Sequence, residues 1–217
     1  MEISSWEVLR YLGYRGRDSE CETARLSALA EELISIFLEN TVPKSVFGIW
    51  DCRLKLQTVA LDGMAVNSKD LAKHLTGCSR LALLAATLGS EADTLIRRYS
   101  VQDMEKAVVA QAVCTAMIEA YCDEIENGIV EKFNLNGLER TTRFSPGYGD
   151  FNIAHQKDII NLLNCGKRIS LTLTNGSMLA PSKSVTAVIG FAAQVEKKTS
   201  EKCEYCAARL CEFKENE

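Results

Sequence analysis

The chain has 217 residues, 47% hydrophobic and 25% charged, with a formal net charge of −4. That length supports a sizeable core in one large domain or two small ones. Lys and Arg do not cluster beyond short pairs, which argues against nucleic acid and against an anionic membrane surface as partners.

No apolar run of transmembrane length and no N-terminal export segment stands out, so a cytoplasmic protein is expected. The nine Cys are odd in number and most sit singly in apolar stretches. They read as reduced, mostly buried thiols.

In chain order, Ser5 to Leu12 predicts a short helix ended by Gly13. Cys21 to Leu38 places Leu26, Leu29, Leu33, Ile34 and Phe37 at a helical period, and Pro43 stops it. Val46 to Val59 alternates imperfectly, as one or two strands, and Leu61-Asp-Gly63 reads as a turn. Ser68 caps a short helix through His74, closed by Gly77. Arg80 to Leu88 is a buried strand, and Ser90-x-x-Asp93 resembles a capping box for a helix to about Tyr99.

Asp103 to Phe133 is one long helical stretch, with Gly128 as a point of interruption. It is apolar nearly all round from Ala107 to Ala120, as a buried central helix is. Gln111, Thr115 and Glu119 form one polar stripe, either the wet side of the helix or a face turned to a ligand. Beyond it, Asn152 caps a helix to Leu163, with Gly166 just past its end. Ile169, Leu171 and Leu173 alternate with polar residues as a half-buried strand, and Asn175-Gly176 turns the chain. Ser184 to Val195 is a second strand, in which Gly190 marks a bulge or a close backbone approach. The expected fold is α+β: one domain with a mainly antiparallel twisted sheet flanked by helices, one of them long and buried.

The densest chemistry lies in Arg143-Phe-Ser-Pro-Gly-Tyr-Gly-Asp150. Pro146 fixes its own φ and biases Ser145 towards an extended backbone, while Gly147 and Gly149 reach conformations closed to other residues. Arg143 brings five donors in a planar fork suited to a carboxylate or phosphate. An ordinary Pro-Gly turn with a solvated Arg is the plain alternative.

Arg143-x-x-x-Gly147-Tyr148 resembles the Arg-x-x-x-Gly-Tyr signature of the activation domain of cobalamin-dependent methionine synthase. The resemblance continues through Ile160-x-x-Leu-Leu163, Lys167 to Leu173, and Met178-x-x-Pro181-x-x-Ser184-Val185. It covers Val101 to Phe191, and Leu9 to Tyr14 is similar to the opening of small stand-alone versions of that domain. The chain departs from the family where Gly149-Asp150-Phe151-Asn152 replaces Pro-Ala-Cys-Pro. On this basis residues 1–100 form the N-terminal helices and strands, 101–195 the activation-domain-like core, and 196–217 a charged tail.

The resemblance implies S-adenosylmethionine as ligand, with Arg143, Ser145, Pro146, Gly147 and Tyr148 around it. Glu119, in Ile-Glu-Ala-Tyr, is similar to an acidic residue on that domain's central helix. Glu119 and Asp150 are the candidates for the ligand's ammonium, and Tyr148 offers its ring or hydroxyl to the sulfonium or the reaction centre. The implied partners are a corrinoid-binding methyltransferase, methionine synthase, and an electron donor such as flavodoxin, with cobalamin held by the partner. The chain is too short for homocysteine and folate modules, so an activation subunit in methionine biosynthesis is expected rather than a complete enzyme.

The base-off cobalamin motif Asp-x-His-x-x-Gly is missing; Asp70-x-x-x-His74-x-x-Gly77 has the wrong spacing, and His74 reads as an ordinary helix residue. His155 reads as structural or exposed. Cys203-x-x-Cys206-x-x-x-x-Cys211 has thiolates at a spacing that zinc or an iron–sulfur cluster accepts, against the plainer reading of a reduced tail. Two alternatives follow: a metal-dependent redox partner of corrinoid proteins, or a non-catalytic corrinoid-protein chaperone.

Overall fold

The computed structural model describes residues 1–14, 20–61 and 64–195. In chain order the elements are α1 (Ser5–Tyr11), α2 (Glu20–Asn40), β1 (Lys44–Asp51), β2 (Arg53–Lys55), β3 (Thr58–Leu61), β4 (Met64–Asn67), α3 (Lys69–His74) and β5 (Arg80–Thr87). Then come α4 (Ser90–Gln102), α5 (Met104–Lys132), β6 (Glu139–Arg140), α6 (His155–Leu162), α7 (Cys165–Ile169), β7 (Thr172–Leu173), β8 (Leu179–Ala180) and β9 (Ser184–Ala192). The α+β class, the antiparallel pairing of small sheets and the long buried helix agree with the sequence reading.

Two compact units share the chain. One gathers Met1–Val46, Ala86–Phe133 and Asn164–Val185; the other gathers Phe47–Ala85, Asn134–Leu163 and the residues from Thr186 onward. In the first unit α5 packs against α1, α2 and α4. Asp103 caps α5 by accepting a hydrogen bond from the Lys106 N–H at 3.1 Å. The helix then runs 29 residues without a break at Gly128, burying small residues such as Ala110, Ala112 and Ala116 beside Val113 and Met117. Small side chains let neighbouring helices approach it from several directions. Arg25–Glu105 and Lys106–Glu32 bridge α2 to the start of α5 at 2.5 and 2.7 Å, both on exposed surface.

The four-stranded sheet has the order β1-β5-β9-β6. β5 is interior, and Leu81 to Thr87 are all buried, which explains a continuous apolar run in place of alternation. In the second unit β2, β3 and β4 form an antiparallel meander, with Leu61 opposite Met64. The turn expected at Asp62-Gly63 lies outside the described residues. Gly190 is a close backbone approach: a Cβ there would meet Cys78 Sγ at 2.5 Å and Leu75 Cδ2 at 2.8 Å.

Several local expectations need correction. Val46 to Val59 contributes to three strands, because Cys52 leaves β1 to donate its N–H to Ser79 O at 2.9 Å, and Leu56 turns the chain at φ 55°. Asp93 closes no capping box: its carboxylate accepts from the Ser182 N–H and hydroxyl. Asn152 is not the helix cap, since its side chain accepts from the Ala154 N–H at 2.9 Å in a local turn and α6 starts at His155. Gly166 lies inside α7 rather than beyond a helix end. Ile169 to Leu173 keeps its alternating burial, but Ile169 ends α7, Ser170 is left-handed at φ 57°, and only Thr172 and Leu173 are strand.

Candidate functional site

The segment Arg143 to Asp150 lies in the second unit, just beyond β6, the edge strand of the sheet. Its start is held to β9 by a reciprocal pair: Phe144 N–H to Val188 O at 2.9 Å and Val188 N–H to Phe144 O at 2.8 Å. His74 Nε2 donates to Thr142 O at 2.8 Å, and its ring lies 4.9 Å from that of Phe144. The imidazole absent from any cobalamin motif therefore anchors α3 to the strand entering the loop.

Within the loop, Tyr148 N–H donates to Ser145 O at 3.0 Å and Gly147 N–H to Phe151 O at 2.7 Å. Gly147 has φ 99° and Gly149 φ 51°, left-handed conformations that cost L-residues strain. Pro146 is buried and Ser145 half-buried, whereas Gly147, Tyr148 and Gly149 are exposed. Tyr148 is 53% exposed, and its ring meets that of Phe144 in a T-shaped contact at 5.9 Å. Phe144 also stacks with Phe151 at 6.3 Å, giving the loop an aromatic floor.

Asp150 is tied to α3. Its carboxylate accepts from the Ser68 hydroxyl, the Lys69 N–H at 2.8 Å and the Asp70 N–H at 3.1 Å. These bonds, the Ser68 hydroxyl foremost, hold its pKa below the ordinary carboxylate value, and the group stays ionised. Asp150 returns its own N–H to Asp70 Oδ2 at 3.0 Å. A negative charge is thus fixed at the loop's end by backbone donors.

Arg143 is half-buried at the loop's start. Arg143, Ser145, Pro146, Gly147, Tyr148 and Asp150 therefore share one short segment of one unit. Glu119 belongs to α5 in the first unit, half-buried, where burial and then its charge raise the Tyr11 hydroxyl. Cys203, Cys206 and Cys211 lie outside the described residues. Among the described residues no group of three or more His, Cys, Asp or Glu is placed to hold a metal ion, and no helix is long and apolar enough to cross a membrane.

The supports Ser68, Asp70 and His74 were not legible as site residues. They lie some eighty positions before the loop, and only the fold brings them to it.

The family described as "Vitamin B12 dependent methionine synthase, activation domain" matches residues 66–205, more than half of the chain. The chain belongs to that family. The matched stretch includes the Arg143–Asp150 loop and its supports on α3. Among solved structures, a MetH reactivation domain bound to AdoHcy is similar, with a TM-score of 0.67 and 16% identity over 92% of this chain and 79% of that one. At that identity the likeness establishes the activation-domain fold. No curated protein matches the chain.

Proposed function

We propose that this activation-domain protein binds S-adenosylmethionine at the Arg143–Asp150 loop and supports reductive methylation of a corrinoid. The corrinoid would be held by a partner methyltransferase, a methionine synthase, with an electron donor such as flavodoxin. The observation that carries the reading is the family match across the loop, joined to the loop's anchored, open geometry. The solved relative's AdoHcy, the demethylated form of the same molecule, supports the ligand class.

The residues fit that ligand's groups. Arg143 pairs with its carboxylate in a bidentate fork. Tyr148, exposed at the loop, offers its ring to the sulfonium cation. Gly147, without a side chain, lets the ligand approach the backbone. The ammonium takes an acid, Asp150 or Glu119. The bound molecule supplies the methyl group; the chain's own residues hold and orient it. The setting is methionine biosynthesis in the cytoplasm, and the protein acts as the activation subunit of a partner enzyme.

Calorimetric titration with S-adenosylmethionine tests this. Arg143→Ala should weaken binding by roughly 2–4 kcal/mol, since the ligand carboxylate loses its charged partner. Asp150→Asn and Glu119→Gln in the same titration separate the two acids. An affinity unchanged in Arg143→Ala rejects the site. A metal assay of the same sample addresses zinc or iron–sulfur at Cys203, Cys206 and Cys211: stoichiometric metal without ligand binding would favour a redox partner of corrinoid proteins instead.

A further inference from the structure

The sequence contains three Asn-Gly pairs: Asn127-Gly128, Asn136-Gly137 and Asn175-Gly176. In water such a pair can react with itself. The glycine nitrogen attacks the side-chain carbonyl carbon of the asparagine, a C–N bond forms, and ammonia leaves to give a succinimide ring. Water then opens the ring at either carbonyl, to aspartate or to isoaspartate. Nothing is oxidised or reduced, and water is the only other reactant. Glycine favours the closure because no side chain crowds the attacking nitrogen and the backbone is free to turn.

The fold treats the three pairs differently. Asn127-Gly128 lies inside α5, which continues to Lys132. There the glycine N–H belongs to the helical ladder, so closing the ring requires opening the helix. Asn136-Gly137 lies between α5 and β6, at the centre of a turn closed by the Leu138 N–H donating to Leu135 O at 2.9 Å. Asn175-Gly176 lies between β7 and β8, at the centre of a turn closed by the Ser177 N–H donating to Thr174 O at 3.1 Å. All four of these turn residues are exposed. Among the described residues, neither side-chain amide has a hydrogen-bond partner, and neither glycine N–H has one. Nothing stands within 4 Å of where a Cβ would sit on Gly137 or Gly176. At both turns, the nucleophile and the carbonyl it attacks are unengaged.

We propose that Asn136 and Asn175 are sites of spontaneous deamidation in the folded protein, and that α5 protects Asn127. Either product adds a negative charge to its turn. Isoaspartate at Asn175 also adds a main-chain carbon between Thr174 and Met178, whose N–H to O bond at 2.9 Å closes the β7–β8 hairpin. The inference stands apart from any ligand of the Arg143–Asp150 loop.

The folded full chain is held at mildly alkaline pH, with a parallel sample unfolded in guanidinium chloride. Both are digested in acid and mapped by peptide mass with fragmentation. Conversion at Asn136 and Asn175 should run in the folded chain within about threefold of its unfolded rate, whereas folding should slow Asn127 roughly tenfold or more. Asn134, followed by Leu135 in the same stretch, should stay unmodified. Gly176 is not left-handed and has open space at its Cβ position, so Gly176→Ala should fold normally. That variant should lose conversion at Asn175 and keep it at Asn136. Protection of either turn site by folding as strong as that of Asn127 overturns the proposal. Conversion of Asn175 at full rate in Gly176→Ala overturns it too, since the amide would then be hydrolysed without the succinimide.

Discussion

Asp150 and Asp70 hold each other by reciprocal bonds: the Asp150 carboxylate accepts the Asp70 N–H at 3.1 Å, and the Asp70 carboxylate accepts the Asp150 N–H at 3.0 Å. Asp150 thereby serves the first turn of α3 as an N-cap serves its own helix, although it is eighty residues distant in sequence.

This has a consequence with a definite sign. The folded pKa of Asp150 is depressed, so its contribution to stability is present above the ordinary carboxylate pKa and is lost as pH falls through the lower, folded value. Wild-type protein should lose stability to acid below about pH 4, and Asp150→Asn should lose less over that interval. Near neutral pH, Asp150→Ala should be less stable by about 1 kcal/mol, the usual worth of a cap. Urea unfolding at a series of pH values reads both, and parallel pH curves for wild type and Asp150→Asn would contradict the assignment.

Gly190→Ala should destabilise the second unit by about 1–3 kcal/mol, because the new methyl overlaps Cys78 Sγ and Leu75 Cδ2. Cys78→Gly in the same chain should recover part of that loss, a coupling detectable as non-additive urea midpoints. Additive effects would mean that the strand relaxes some other way.

Burial pushes the thiols of Cys78 and Cys165 up to about 11 and that of Cys114 up to about 12. Thiols carry the reactivity only as thiolates. In native protein near pH 8, iodoacetamide should therefore leave these three unmodified and label Cys21, which is exposed. Peptide mass mapping before and after denaturation checks it; rapid native labelling of Cys114 would contradict its burial on α5.

Tyr148 separates ring from hydroxyl. If its ring receives the sulfonium, Tyr148→Phe should keep S-adenosylmethionine affinity, and Tyr148→Ala should lose about 1 kcal/mol. A loss in Tyr148→Phe equal to that in Tyr148→Ala would assign the hydroxyl instead. Unfolding of the same variants should hardly change, because the ring is mostly solvent-exposed.

Periodicity made α5, α2 and β5 readable, since each buries a long apolar set at its own spacing. Loop chemistry made the Arg143–Asp150 segment readable, since Pro and two glycines restrict the backbone in recognisable ways. What failed were choices between local partners. Asn152 and Asp93 have capping chemistry, yet a turn claims one and Ser182 the other. Ile169 to Leu173 buries alternate residues by leaving a short helix through a left-handed Ser170, a route that alternation alone cannot distinguish from a strand.

The boundary between the two units falls inside β1 after Val46, inside β5 after Ala85 and inside β9 after Val185, and twice more between α5 and α7. Neither unit is therefore a contiguous piece of polypeptide. A protease nick or a terminal truncation cannot release one intact, and neither can be inherited without the other by simple gene fusion. Residues far apart in sequence must meet before either unit is complete, and contacts of such long range slow folding.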